Sequence, residues 1–191
     1  MVNPDKIFGR LGNRMFQMAY IYSQMRRGQI PDLFVQNYQY FDEFKNEIRQ
    51  WFGDGIGYLP YTAIHLRVGK NPSNTEEPRY SENPFYYRLI ETGYYIDAVN
   101  LFPQGKFIVF SDDIEFAKTY FEGDKFAFDE SENDLEAFNK MASCQNQIIA
   151  NSSFSWWAAY LNNYVDRKVV APKLWFADGT NIPCPPEWVM L

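Results

Sequence analysis

Between residues 61 and 172, segments with the pattern of a buried strand alternate with segments that have the pattern of a helix. The strand-like segments read YTAIHLRVGK, KFIVFSDD, QNQIIA and KVVAP. The helical segments among them read IEFAKTYF, DLEAFNKMASC and SFSWWAAYLNN, and another helix is predicted from about Pro84 to Leu101. Such alternation is typical of a parallel sheet with helices on both faces. The sequence therefore predicts an α/β fold of the doubly wound type.

Two further helices are predicted before this alternating region. The first runs from Leu11 to Arg27, and the second from about Asp42 to Phe52. In the first helix, apolar side chains recur at spacings of four and three residues, which predicts one buried face; they are Leu11, Met15, Met18, Tyr22 and Met25. The sequence GRLGN at its start indicates a tight turn that presents an amide side chain.

The composition excludes several classes of protein. A net charge of −6 and the lack of a basic stripe argue against a nucleic-acid partner. Two cysteines and one histidine offer neither a disulfide framework nor a multi-histidine metal site. We find no apolar segment of membrane-spanning length and expect a cytoplasmic protein. Aromatic residues make up 19% of the chain, so some rings must lie at the surface, where they commonly stack on bases or sugars.

Polar side chains follow three of the predicted strands where each strand ends. His65 and Arg67 lie on the same side of the first strand, Asp112 and Asp113 end the second, and the segment from Asn151 to Ser155 follows the third. In a doubly wound sheet, ligands bind at the carboxyl ends of the strands. The three groups are therefore expected to converge on one crevice.

Each of these groups has a functional and a structural interpretation. Arg67 suits bidentate contact with a phosphate, or it is an ordinary surface arginine at a strand end. His65 donates to a base or phosphate, or it is a satisfied structural residue. One carboxylate of the Asp112–Asp113 pair caps the next helix, which leaves the other to accept from a purine edge.

The serine-rich helix start has the same two interpretations. Ser152, Ser153 and Ser155, together with free backbone N–H groups, would hold a diphosphate without a metal ion. The alternative is a capped helix whose two tryptophans pack in the core. We find neither a carboxylate pair arranged for a divalent ion nor a nucleophilic triad, so we predict metal independence.

Four segments in this order resemble the inverting α-1,2-fucosyltransferases of glycosyltransferase family 11: GRLGNRMFQMA, IHLRVG, FIVFSDDIEFAK and IIANSSFSWWAAYLN. The resemblance covers most of the chain and is densest from Ile64 to Phe176. It implies a GT-B-like fold whose C-terminal half is a Rossmann-type parallel sheet and whose N-terminal half is much reduced. The implied division is 1–60 as the acceptor-side segment and 61–191 as the nucleotide-sugar-binding domain.

The resemblance implies transfer of L-fucose from GDP-β-L-fucose to a glycan hydroxyl, with inversion, an expected α-1,2 linkage, no cofactor and no metal. Arg67 would neutralise the departing phosphate, and Asn13 would face the reacting centre. The implied donor site is His65, Arg67, Asp112, Asp113, Ser152, Ser153, Phe154 and Ser155. The implied acceptor side is Arg10, Gly12 and Asn13.

The sequence departs from the family pattern in two places. It has Val68 and Lys70 where the family has arginine and aspartate, and about fifty residues separate GRLGN from His65, far fewer than the family usually has. The alternative function is therefore a GDP-sugar or glycan binding module of the same fold with impaired catalysis. The sequence assigns no general base, and the departing phosphate could accept the proton itself. It does not define the oligomeric state.

Overall fold

The computed structural model describes residues 11–27, 36–52, 57–69 and 79–191. Within these ranges the chain forms one six-stranded sheet in which every neighbouring pair of strands is parallel. The strands are β1 (Leu59–Leu66), β2 (Phe107–Ser111), β3 (Phe126–Phe128), β4 (Cys144–Ile148), β5 (Val169–Ala171) and β6 (Val189–Met190). Their order across the sheet is β3-β2-β1-β4-β5-β6, which is the order of the Rossmann fold. The predicted doubly wound α/β class is confirmed.

Six α-helices accompany the sheet in the described ranges: α1 (Leu11–Arg26), α2 (Lys45–Phe52), α3 (Tyr94–Asn100), α4 (Ile114–Tyr120), α5 (Asp134–Ser143) and α6 (Ser153–Leu161). Short 3₁₀ turns at Tyr38–Tyr40 and Asp42–Phe44 lead into α2. Side chains define two of the helix starts. Asp113 accepts from the Phe116 N–H at 3.1 Å, and Asn133 accepts from the Glu136 N–H at 3.0 Å. Among these helices, none is long and apolar enough to cross a membrane.

The helices cover both faces of the sheet, so residues 62–66 of strand β1 are buried on both sides. Ala63 points into a core that also contains Trp156 and Trp157 of α6, whereas Ile64 points into the opposite core with Tyr95 of α3. The alternation that the sequence predicts along β1 is therefore present. Both tryptophans are fully buried, so the core interpretation of this pair is correct.

The buried face of α1 differs from the predicted apolar stripe. Met15 is buried as expected, but Met18 is 41% exposed. Phe16 and Ala19 lie in the core instead, and both are fully buried. Phe16 packs between Trp156 and Trp157, with ring centroids 4.7 and 5.0 Å apart. Ala19 lies in the same core cluster as the two tryptophans.

Three further features differ from the predicted elements. The helix expected from about Pro84 begins only at Tyr94, because Gly93 adopts a left-handed conformation with φ of +47° immediately before it. Strands β3 and β6 were not predicted from the sequence. With three and two residues, they are too short to show a periodic pattern.

Candidate active site

A cleft of about 490 Å³ lies at the carboxyl edge of the sheet. It is centred on β1 and β4, the adjacent strands from which the sheet extends in opposite directions, and this is where Rossmann-type proteins bind ligands. Its walls come from the ends of β1, β2 and β4, from the segments after β3 and β5, and from the start of α1. The lining includes His65, Arg67, Asp112, Ser152, Ser153 and Phe154, together with Gly12 and Asn13. The three predicted strand ends thus meet at one cleft.

Arg67 lies at the end of β1 on the wall of this cleft. Its guanidinium forms an ion pair with Asp112, and its Cζ lies 4.9 Å from the centroid of the Tyr80 ring. The Arg67 side chain is only 10% exposed. A partly buried guanidinium held between a carboxylate and an aromatic face is a fixed cation, which suits the binding of an anion in the cleft.

Asp112 connects the ends of β1 and β2. Besides its ion pair with Arg67, its Oδ1 accepts hydrogen bonds from the N–H groups of Val68 and Gly69, both at 2.9 Å. At this distance residue 69 must be a glycine, because a Cβ there would lie 2.8 Å from the Asp112 carbonyl oxygen. The carboxylate that was expected to read a purine edge is therefore occupied in holding Arg67 and the loop after β1.

Asp113 is not among the residues that line the cleft, and it has the predicted capping role at the start of α4. Its second carboxylate oxygen forms an ion pair with Arg79. The expectation that one aspartate of the pair caps a helix is met by Asp113. Its assignment to donor binding gains no support from this position.

His65 is buried, with 6% of its surface exposed, and its hydrogen-bond partners are buried residues. Its Nδ1 lies 2.9 Å from the Ser155 hydroxyl, and its carbonyl accepts a hydrogen bond from the Tyr95 hydroxyl. Ser155 is not exposed at all and lies outside the cleft lining. The structure thus differs from the sequence prediction for Ser155, because this hydroxyl positions the imidazole rather than facing a ligand.

The start of α6 provides backbone donors at the floor of the cleft. Ser152 is the N-cap residue, and its side chain makes no capping hydrogen bond. Ser153 instead donates from its hydroxyl to Oδ1 of Asn13 at 2.8 Å, and Gln36 donates to the same oxygen at 3.0 Å. The first N–H groups of a helix, with their partial positive charge, favour an anion here.

Gly12 brings the start of α1 into contact with the start of α6. A Cβ at this position would lie 2.5 Å from the Ser153 carbonyl carbon and 2.6 Å from the Phe154 nitrogen. The second glycine of GRLGN, Gly12, is therefore required by this close approach. Arg10, the remaining residue assigned to the acceptor side, lies outside the described residues, as does Lys70.

Sequence analysis missed the aromatic wall of the cleft, which contains Tyr80, Phe85, Tyr86 and Phe176. The only feature of the sequence that indicated such a wall was its high content of aromatic residues. Sequence analysis also gave no separate role to Asn151, whose side-chain nitrogen donates to the carbonyls of Tyr87 and Trp175, each at 2.9 Å. No described His, Cys, Asp or Glu side chains form a group of three that could hold a metal ion. Metal independence stays a prediction.

The strand order and the cleft at its switch point define a Rossmann-type α/β protein whose cleft holds the start of α6 and a fixed arginine beside it. Comparison with known proteins narrows this class. The family model described as Glycosyl transferase family 11 matches residues 41–189. The chain belongs to this family.

Two curated relatives from Escherichia coli are similar to the chain. One, named alpha-1,2-colitosyltransferase, is 33% identical over 182 residues, covering 83% of this chain and 61% of the relative. The other, O-antigen biosynthesis glycosyltransferase WbnK, is 34% identical over 128 residues, covering 63% of this chain and 40% of the relative. The chain thus spans less than two thirds of the length of these relatives. No solved structure matched it.

Proposed function

We propose that the protein transfers L-fucose from GDP-β-L-fucose to a glycan hydroxyl, with inversion, in an α-1,2 linkage and without a metal ion. The observation that carries this proposal is the convergence of Arg67, the α6 N-terminus and Asn13 on one cleft of a family 11 chain. These groups come from three distant parts of the sequence. Together they would offer a cation, backbone donors and an amide to one molecule in the cleft.

In this proposal the diphosphate lies over the start of α6, with Arg67 beside it. A glycosyl transition state resembles an oxocarbenium ion, and the departing GDP gains negative charge as the bond breaks. Donors fixed on that phosphate stabilise the transition state more than the ground state, and this raises kcat. We assign acceptance of the proton from the attacking hydroxyl to the departing phosphate.

The enzyme proposal is tested by incubation with GDP-fucose, with and without lactose-type acceptors, while GDP release is measured. We expect Arg67→Ala to lower kcat by roughly 10²- to 10³-fold, the typical effect of losing one preorganised donor. Arg88→Ala is the matched control, because Arg88 lies outside the cleft lining and pairs with the exposed Glu91. Equal loss of activity in both variants would contradict the assignment of Arg67.

The donor sugar has a second candidate, because one relative is named a colitosyltransferase. Colitose is L-fucose without its 3-hydroxyl, so the two donors test whether the site binds that group. A competition assay with GDP-fucose and GDP-colitose compares kcat/KM directly. A site that hydrogen-bonds the 3-hydroxyl would reject the deoxy sugar strongly, whereas an apolar site would discriminate weakly.

The second candidate function is a GDP-sugar or glycan binding module without turnover. Val68 favours it, because this residue is 1% exposed and packs in the core where the family has an arginine. Position 68 thus supplies no cation to the cleft, while Lys70 lies outside the described residues. GDP binding by calorimetry, without GDP release over a broad set of acceptors, would establish the module and exclude the enzyme.

A further inference from the structure

An aromatic ledge, defined as Phe85, Tyr86 and Phe176, forms the wall of the cleft on the side of β5. The centroid of the Phe85 ring lies 5.2 Å from that of Tyr86 and 5.0 Å from that of Phe176. Phe85 is 59% exposed, so a large ring faces solvent at the edge of the cleft. Neither the proposed chemistry nor the sequence analysis has given these rings a role.

The ledge is rigid because two chain segments are hydrogen-bonded to each other beneath it. The Tyr87 N–H donates to the Trp175 carbonyl at 3.1 Å, and the Ala177 N–H donates to the Phe85 carbonyl at 3.0 Å. The Asn151 side chain donates to one carbonyl in each segment. A pair of segments braced in this way presents its rings in a fixed position, which lowers the entropic cost of binding.

The ledge lies on the opposite side of the phosphate site from the carboxylates of the cleft. Asp129 and Asp134 line the cleft after β3, whereas Phe176 follows β5. Four strand spacings separate β3 from β5, which is about 19 Å. Arg67 and the start of α6 lie between the two sides.

This arrangement orients the nucleotide sugar. Guanine presents N–H donors, which suit the carboxylate side, and the diphosphate then occupies the centre. Among the described lining residues, Arg67 is the only arginine or lysine, so the ledge offers no cation to a phosphate. The aromatic side instead offers rings on which a sugar can stack.

We propose that the aromatic ledge binds the glycan acceptor, by stacking of a pyranose ring against Phe85. The inference rests on the proposed function. The donor sugar, which is bonded to the phosphate, must lie close to Arg67, where the adjacent ring is the largely buried Tyr80. Tyr80 stacks on Tyr86 with centroids 4.0 Å apart, so the ledge begins one ring further out. An acceptor arriving from solvent meets the exposed Phe85 first.

The test compares Phe85→Leu, which keeps apolar bulk without a ring, with Phe85→Trp, which keeps a ring. Binding of methyl β-D-galactoside and lactose is measured by ligand-observed NMR at saturating GDP, and GDP affinity by calorimetry. We expect Phe85→Leu to weaken sugar binding by about tenfold, Phe85→Trp to retain it, and neither to change GDP affinity. Ile96→Leu is the control, because Ile96 is 62% exposed on α3 and does not line the cleft.

Three results would overturn the proposal. The first is unchanged sugar binding in Phe85→Leu, and the second is no binding of either sugar to the unmodified protein. The third is a loss of GDP affinity in Phe85→Leu, which would assign the ledge to the base. The outcome is separable from that of the proposed function. Phe85-dependent sugar binding without turnover would support the ledge as a sugar site and contradict the enzyme proposal. Turnover with an unchanged acceptor KM in Phe85→Leu would support the enzyme proposal and contradict the role of the ledge.

Discussion

Replacing Gly12 with alanine is expected to destabilise the protein through the contact between α1 and α6. The added Cβ would lie 2.5 Å from the Ser153 carbonyl carbon, whereas ordinary contact begins at 3.4 Å, so the two helix starts must separate by about 0.9 Å. Overpacking of this kind costs about 1–3 kcal/mol, and the upper part of this range applies because the nearest atoms are backbone. Alanine is favoured over glycine in a helix by up to about 1 kcal/mol, which offsets part of the cost.

The net effect is a loss of about 2 kcal/mol in the free energy of unfolding. For a chain of this size, that corresponds to a fall of roughly 4–8 °C in Tm. Urea denaturation followed by fluorescence measures it, with an unchanged m-value showing that only stability has changed. Gly57→Ala is the control, since its Cβ would meet no described atom closer than 3.9 Å. Equal stability of Gly12→Ala and the unmodified protein would refute the close approach of the two helices.

Three further predictions concern single side chains. Asp113→Ala is expected to lose about 1 kcal/mol of stability through the α4 cap, with GDP affinity unchanged in calorimetry; a loss of GDP affinity would return Asp113 to the donor site. Asp112→Asn is expected to lower GDP affinity, because Arg67 loses the carboxylate that orients it; unchanged affinity and turnover would contradict this role. Burial raises the pKa of Cys144 from about 9 to about 12, so the fold keeps the thiol neutral while the unfolded chain ionises. The contribution of this thiol to the free energy of unfolding is therefore expected to be fully present below about pH 9. It should fall as the pH rises toward 12, by no more than about 1.4 kcal/mol per pH unit. Urea denaturation at pH 8 and pH 10.5 should show a smaller pH-dependent loss in Cys144→Ala, and an identical loss would refute the assignment.

The sequence predicted the cleft because it depends on chain order and strand polarity. Once strands and helices alternate, the carboxyl ends of the strands share one edge, and the polar residues after β1, β2 and β4 must meet there. The order of the strands was not predicted. The short strands β3 and β6 show no pattern, and they complete the two sides of the sheet.

Which side chains face the cleft was less predictable. Ser153 and Ser155 are two positions apart on one helix, so their side chains point in directions about 200° apart and cannot both face a ligand. That constraint was present in the sequence. For Asp112 and Asp113 no such constraint exists, because the turn after β2 alone decides which carboxylate reaches Arg67 and which caps α4.

The stability of the fold and the geometry of the cleft depend on the same contact. The predicted division at residue 60 separates α1 from α6, yet Phe16 packs between Trp156 and Trp157 in one continuous core. At the cleft end of this contact, Asn13 accepts from the Ser153 hydroxyl, and Gly12 sets the distance between the helix starts. The donors at the start of α6 are thus positioned by the N-terminal segment, even though the proposed anion site belongs to the Rossmann sheet. Because the two segments share a core, loosening their packing must also displace the groups that are proposed to hold the diphosphate.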